Sequence, residues 1–142
     1  MYRRMPLSIV MPKPKRNRFP FLDSIYCYQY YISFGETCED ACAWVNKQEK
    51  NTGTNLLTAP PFNKHRRGHT IINTNTCVTL IWFRDLRPRI ATIAHEAEHA
   101  VFYCLRSIGM KHKDSSDEAY AYLLGWLVGG IEYAMKRKKK EK

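Results

Sequence analysis

One five-residue stretch, His95-Glu96-Ala97-Glu98-His99, constrains this chain more than any other part of its sequence. In an α-helix, residues four positions apart lie on the same face, so the imidazoles of His95 and His99 would point in one direction. Two imidazoles at this spacing can bind one zinc ion, and the adjacent Glu96 can act as a general base on metal-activated water. The pentad therefore predicts a helix with one face reserved for a metal.

The residues around the pentad predict how this helix is oriented. It should run from about Pro88 to Ile108. At about 100° per residue the two histidines fall within about 40° of each other, and apolar side chains collect on the opposite face. These apolar residues are Ile90, Ile93, Ala97, Val101, Cys104 and Ile108. The alternative is an ordinary amphipathic helix with two surface or core histidines, but Glu96 and a suitable downstream carboxylate favour a metal site.

The length and the cysteines limit the class of protein. A chain of 142 residues is expected to form one domain and to bury a core without disulfides. Its five cysteines are scattered without a CxxC pair, which indicates a reduced protein in the cytoplasm. Cys38 and Cys42, one helical turn apart, are expected to be core residues rather than metal ligands. No signal peptide is predicted, and the apolar run Ala119 to Ile131 is too short to span a membrane.

The positive charge is concentrated at the two ends of the chain. The net charge is +10, whereas residues 19–135 are almost neutral, with eleven basic and twelve acidic side chains. We therefore predict a basic, partly disordered segment over residues 1–20, a single domain over residues 21–135 and a basic tail over residues 136–142. The basic ends are suited to binding nucleic acid, and the alternative is a pair of solvated ends.

Hydrophobic periodicity and turn residues predict an α+β fold, with a small mixed sheet backed by helices and the pentad helix beneath the sheet. The predicted strands are Leu7 to Met11, Ser24 to Ile32, His69 to Asn75 and Cys77 to Arg84. The predicted helices are Thr37 to Lys50, the pentad helix with Asp85 as its cap, and Asp117 to Lys136. The basic stretch Pro12 to Pro20 is predicted as a linker, and Asn51 to Arg67 and Gly109 to Ser116 as loops.

A catalytic zinc ion needs a third protein ligand in addition to the two histidines. Downstream of His99 the candidates are His112, Asp114, Asp117 and Glu118. Eighteen residues separate His99 from Glu118. His65 and His69, at the end of the long loop, are not expected to bind metal.

The pentad and the stretch Asp117-Glu118-Ala119-Tyr120-Ala121-Tyr122-Leu123 together resemble a known family. HExxH followed after eighteen residues by a glutamate on a second helix is similar to the gluzincin metallopeptidases. The chain is also similar to small HExxH proteins encoded by bacteriophages, which often carry an acidic-Glu-Ala-x-x-Tyr-Leu stretch. The resemblance covers about residues 77–131.

The resemblance implies a zincin-like domain that hydrolyses peptide bonds. Zinc would be bound by His95, His99 and Glu118, and Glu96 would be the general base. Peptides or proteins would be the substrates, usually paired with an exposed sheet edge. If the chain is encoded by a phage, it would act in the host cytoplasm.

Three alternatives remain open from the sequence. Ser115-Ser116-Asp117-Glu118 matches a capping box, in which Glu118 would only bond the backbone at the start of its helix. His112 lies at a spacing similar to that of the SprT-like proteases associated with DNA, which use a third histidine. The chain could also be a non-catalytic basic protein that binds nucleic acid or a host factor.

The face of the last helix that carries Glu118 favours the glutamate as ligand. Tyr122, Gly125 and Gly129 lie within about 40° of Glu118 around a helix. Glycines four residues apart allow two helices to approach closely. This face is therefore predicted to pack against the pentad helix and to bring the carboxylate to the metal.

Overall fold

The structure is a computed structural model that describes residues 17–22, 28–49, 57–73 and 78–137. Along this part of the chain the elements are β1 (Arg18–Leu22), β2 (Gln29–Phe34), α1 (Cys38–Gln48), β3 (Gly68–Asn73), β4 (Val78–Phe83), α2 (Ile90–Ser107) and α3 (Asp117–Arg137). A short 3-10 turn, Asp114–Ser116, precedes α3. The predicted strand at Leu7 to Met11 lies outside the described residues. Within these ranges, every helix is too short or too polar to cross a membrane.

The four strands form one mixed sheet in the order β1-β2-β4-β3. β2 and β4 pair in parallel at its centre, and β1 and β3 are antiparallel edge strands. Every residue of β4 is buried, because this strand is covered on both faces, as its nearly continuous apolar sequence predicts. The predicted α+β fold with a small mixed sheet is confirmed.

The two faces of the sheet are covered by different helices. α2 and α3 pack on one face in a core that includes Ile32, Phe83, Ala97 and Leu127. The pentad helix α2 therefore lies beneath the sheet, as predicted, and its apolar face points inward.

The opposite face of the sheet is covered by α1. The helix begins where expected, because the Thr37 hydroxyl accepts a hydrogen bond from the Asp40 backbone N–H at 3.1 Å. Both Cys38 and Cys42 are buried, with Val45, in the core on this side. Their prediction as core residues is confirmed.

The strand β1 corrects the prediction of a linker up to Pro20. Proline is tolerated in β1 because this is an edge strand, where one side of the backbone has no ladder partner. Arg18 of β1 donates to the Glu36 carboxylate at 2.6 Å, and Ser33 of β2 donates to the same carboxylate. These bonds hold the edge strand to its neighbour.

The start of α2 differs from the prediction. Asp85 does not cap the helix: it lies 3.6 Å from Arg67, and the N-cap is Arg89, which makes no side-chain capping bond. Ile90 and Ile108, predicted on the apolar face, are exposed at the two ends of the helix. Helix ends extend past the sheet, so periodicity alone overestimates the length of the buried face.

The orientation of α3 also differs from the prediction. Its buried residues are Leu123, Leu127, Ile131 and Ala134, on the side opposite Glu118. A Cβ atom placed on Gly125 or Gly129 would have no contact within 4 Å. The glycine face therefore does not pack against α2, because the larger apolar side chains on the other face gain more from burial.

Candidate active site

The two histidines of the pentad converge at the surface of α2. The Nε2 atoms of His95 and His99 are 3.2 Å apart, and the rings are nearly perpendicular, with centroids separated by 4.7 Å. Two nitrogens bound to one tetrahedral zinc ion at about 2.0–2.1 Å would be separated by roughly 3.3–3.4 Å. The imidazole pair therefore fits two adjacent positions of a zinc coordination sphere.

The Glu96 carboxylate is buried beside this pair. Glu96 is 6% exposed, and its Oε2 lies 2.8 Å from the Thr70 hydroxyl of β3. The same hydroxyl lies 2.8 Å from the Glu96 carbonyl oxygen, so its one proton is shared between the two acceptors. The other carboxylate oxygen, Oε1, is 3.9 Å from His95 Nε2. One oxygen is thus held by the sheet while the other lies on the side of the histidines.

A glycine in β3 makes room for this glutamate. A Cβ atom on Gly68 would lie 2.9 Å from Glu96 Cγ and 3.2 Å from Thr92 Cγ2. The first distance is shorter than carbon atoms tolerate without displacement. Gly68 therefore allows β3 and α2 to approach closely enough for Thr70 to reach the carboxylate.

An open cleft of about 410 Å³ lies between β3 and α2. Arg66, Arg67 and Gly68 form one wall, and Ala91, Thr92, His95 and Glu96 form the other. β3 is the edge strand of the sheet on this side, so in the described part of the chain its outer backbone groups have no strand partner. The resemblance implies a substrate paired with an exposed sheet edge, and β3 is the edge strand beside the pentad.

His69, which the sequence analysis set aside as a ligand, lies close enough to the pentad to interact with it electrostatically. Its pKa is lowered, mainly by burial and then by the positive charge of Arg66, while Glu96 opposes the shift and His99 adds to it. A lowered pKa keeps the imidazole neutral at pH 7. His69 does not line the cleft, so its influence on the pentad is electrostatic.

Glu118 lies in the first turn of α3 with an exposed side chain. Across the described ranges it makes no hydrogen bond or ion pair, so the alternative, a capping box from Ser115, is not formed. Ser116 instead accepts from the Lys113 backbone N–H and donates to the Lys111 carbonyl. Among the residues that the structure describes, no group of three His, Cys, Asp or Glu side chains could hold a metal ion. The structure brings His95, Glu96 and His99 together, without Glu118.

His112, the alternative third ligand, is engaged with α3. Its Nε2 lies 3.2 Å from the Asp117 carboxylate, and its ring packs on Tyr120 at 4.4 Å between centroids. His112 and Asp117 line a cavity of about 240 Å³ between α2 and α3, together with Glu98. This arrangement makes His112 part of the contact between the two helices.

The sequence pattern identifies the pentad but not the two β3 residues, Gly68 and Thr70, that position Glu96. Gly68, at the end of a basic run, signals a close approach of the backbone without indicating to what. Nothing local marks Thr70, whose partner Glu96 is remote along the chain and meets it only in the fold.

Three structural features define the candidate site: two convergent imidazoles, a buried carboxylate held by a hydroxyl, and an open strand edge. No protein-family model matches this chain, and no curated protein or solved structure shows significant similarity to it.

Proposed function

We propose that this protein is a small zinc-dependent metallopeptidase of gluzincin type with a zincin-like domain. His95 and His99 bind zinc, and Glu96 is the general base. The observation that carries the proposal is the imidazole pair, 3.2 Å apart between Nε2 atoms, beside a carboxylate fixed by Thr70. Glutamate is rarely buried in proteins, so a buried glutamate next to two exposed histidines is not typical of an ordinary amphipathic helix.

Zinc, Glu96 and Thr70 would have different roles in hydrolysis. Bound zinc supplies polarisation of the scissile carbonyl and acidification of water. Glu96 takes a proton from the attacking water and passes it to the leaving amine. Thr70 holds one carboxylate oxygen, so the other is oriented towards the histidines without a search among rotamers.

Glu118 is retained as the proposed third ligand. Its carboxylate is exposed and makes no hydrogen bond or ion pair within the described part of the chain, so no existing bond must be broken for it to bind metal. It lies at the start of α3, which packs against α2. Because Glu118 lies on the face of α3 opposite the buried residues, binding through it requires the first turn of α3 to rotate.

The open edge of β3 supports a peptide as substrate. An extended peptide can add to a sheet edge through main-chain hydrogen bonds, whatever its sequence. A peptide placed along β3 would pass the cleft that His95 and Glu96 line. Its carbonyl groups would then be presented to the metal-binding face of α2.

Metal content tests the site. Protein purified without chelator or affinity tag should contain about one zinc per chain by mass spectrometry of metals. His99→Gln and Glu118→Ala should lose it, whereas His112→Ala should retain it. Retention by Glu118→Ala with loss in His112→Ala would favour the SprT-like alternative. Absence of metal in the wild type, even after zinc is added back, would refute the proposal.

Peptide hydrolysis tests the reaction. Glu96→Gln should bind zinc and fail to cleave a mixture of unstructured peptides that the zinc-loaded wild type cleaves, as read by mass spectrometry of the products. Equal cleavage by Glu96→Gln would show that the carboxylate is not the base.

A further inference from the structure

The charges of the cleft indicate which peptides it would accept. Building on the proposed function, we propose that the cleft selects peptides with an acidic side chain close to the scissile bond, and that Arg66 and Arg67 bind this carboxylate. Both arginines line the cleft with His95 and Glu96. The described residues that line it include two arginines and one acidic residue, Glu96, whose carboxylate is already bonded to Thr70.

Arg66 is the better ordered of the two arginines. It is partly buried, and its Nη1 donates to the Pro61 carbonyl oxygen at 3.0 Å. A guanidinium has five N–H donors in one plane, so this bond fixes the group and leaves donors for a ligand. A planar fork of this kind matches the two oxygens of a carboxylate.

Among the described residues, the one ion-pair partner of the Arg67 side chain is weakly bound. Its Nη1 lies 3.6 Å from the Asp85 carboxylate, and the two side chains are 62% and 48% exposed. An ion pair this long and this exposed contributes little to stability. A substrate carboxylate can therefore replace Asp85 at little cost, and the cleft then gains a second positive contact.

The lining of the cleft favours a peptide over a nucleic acid. Among the described residues that line it there is no Phe, Tyr or Trp, the side chains on which bases most often stack. The edge of β3, by contrast, presents alternating N–H and C=O groups, which match a peptide backbone. The acidic group is therefore expected on an extended peptide.

A matched peptide series tests this selectivity. Three fluorogenic peptides would differ only in the residues flanking the scissile bond, which are Glu, Gln or Lys. With zinc-loaded wild type, kcat/KM should be roughly tenfold higher or more for the Glu peptide than for the Gln peptide, the effect of one charge-assisted hydrogen bond. Arg66→Gln and Arg67→Gln should each reduce this ratio.

The control is Arg106→Gln, which removes the same charge from α2 beyond the histidines, where Arg106 packs over Phe102. It should keep the wild-type ratio. Thermal midpoints identify a variant that has lost its fold. Because Arg67 is exposed, Arg67→Gln is the substitution less expected to disturb the fold. Equal kcat/KM for the Glu and Gln peptides would overturn the inference.

A binding measurement separates this inference from the proposed function. Fluorescence anisotropy of the labelled Glu peptide with zinc-loaded Glu96→Gln requires no hydrolysis. The peptidase proposal fails if the wild type cleaves no peptide. The acidic specificity still stands in that case if Glu96→Gln binds the Glu peptide in preference to the Gln peptide and the added substitution Arg67→Gln removes that preference. Equal binding of the Glu and Gln peptides, or tighter binding of a single-stranded oligonucleotide that displaces them, would overturn the specificity.

Discussion

At the scale of single residues, the Glu96 side chain owes its arrangement to two residues of β3. Glu96 is buried, and the only protein hydroxyl that bonds its carboxylate in the described ranges belongs to Thr70. Gly68 provides the space for this contact. A carboxylate oriented in this way loses little freedom when it accepts a proton, which is the property that a general base requires.

Thr70→Val tests the role of the hydroxyl, since valine keeps the shape of threonine and removes its hydrogen-bonding group. We expect zinc content and KM to stay near wild-type values and kcat to fall roughly tenfold or more, the usual effect of removing a group that orients a catalytic residue. Steady-state kinetics on the best peptide substrate would measure this.

Thr92→Val is the matched control, because Thr92 also lines the cleft but its hydroxyl makes no hydrogen bond across the described residues. It should keep the wild-type kcat. A rise in KM without a fall in kcat for Thr70→Val would mean that Thr70 contacts substrate rather than Glu96.

At the scale of helices and strands, the sequence predicts the elements better than their orientations. The apolar residues Ile93, Ala97 and Val101 recur with the helical period, and all are buried as predicted. The strand β1 was missed because Pro20 and the basic residues before it are typical of linkers, and only its pairing with β2 reveals it.

The last helix shows why orientation is harder to predict. It carries a glycine face beside Glu118 and a leucine face on the opposite side, and each could pack against α2. The periodicity is the same for both, so the choice depends on which surface the rest of the core covers. In the structure the core covers Leu123 and Leu127.

Alanine substitutions test this orientation of α3. Because Gly125 and Gly129 lie within the helix with open space beside them, Gly125→Ala and Gly129→Ala should each raise the free energy of unfolding by about 0.5–1 kcal/mol. Leu127→Ala should lower it by about 2–5 kcal/mol. Urea denaturation would measure all three.

A destabilising effect of the two glycine substitutions would mean that α3 turns its glycine face to another helix. That outcome would restore the arrangement predicted from the sequence, with Glu118 directed towards the histidines.

At the scale of the whole molecule, the fold does not depend on the proposed metal. The two imidazoles belong to one helix, four residues apart, and with Glu118 as third ligand zinc would join α2 only to α3, which already packs against it in the core. The core on both faces of the sheet is formed by apolar residues, none of which is a proposed zinc ligand. This contrasts with small zinc domains, in which the metal supplies most of the folding energy.

Removal of zinc should therefore weaken the protein without unfolding it. Zinc at about one hundred times its Kd adds about 2.7 kcal/mol to the stability of the state that binds it. A chelator should lower the thermal midpoint and leave the far-UV circular dichroism at room temperature unchanged. Loss of the helical signal on chelation would show that zinc is structural. His99→Gln, which cannot form the site, should show no response to zinc or chelator.

The candidate site is also continuous along the chain. Its two walls come from residues 66–99, which contain β3, β4 and α2 in succession, whereas the centre of the sheet pairs Gln29 with Val78 across a long intervening segment. Contacts between neighbouring segments require less loop closure and form faster than remote ones. During folding, the antiparallel pair β3–β4 and the helix that follows it can therefore meet before β2 joins the sheet. Apart from Glu118, the proposed catalytic residues belong to a short segment that can assemble without the rest of the chain.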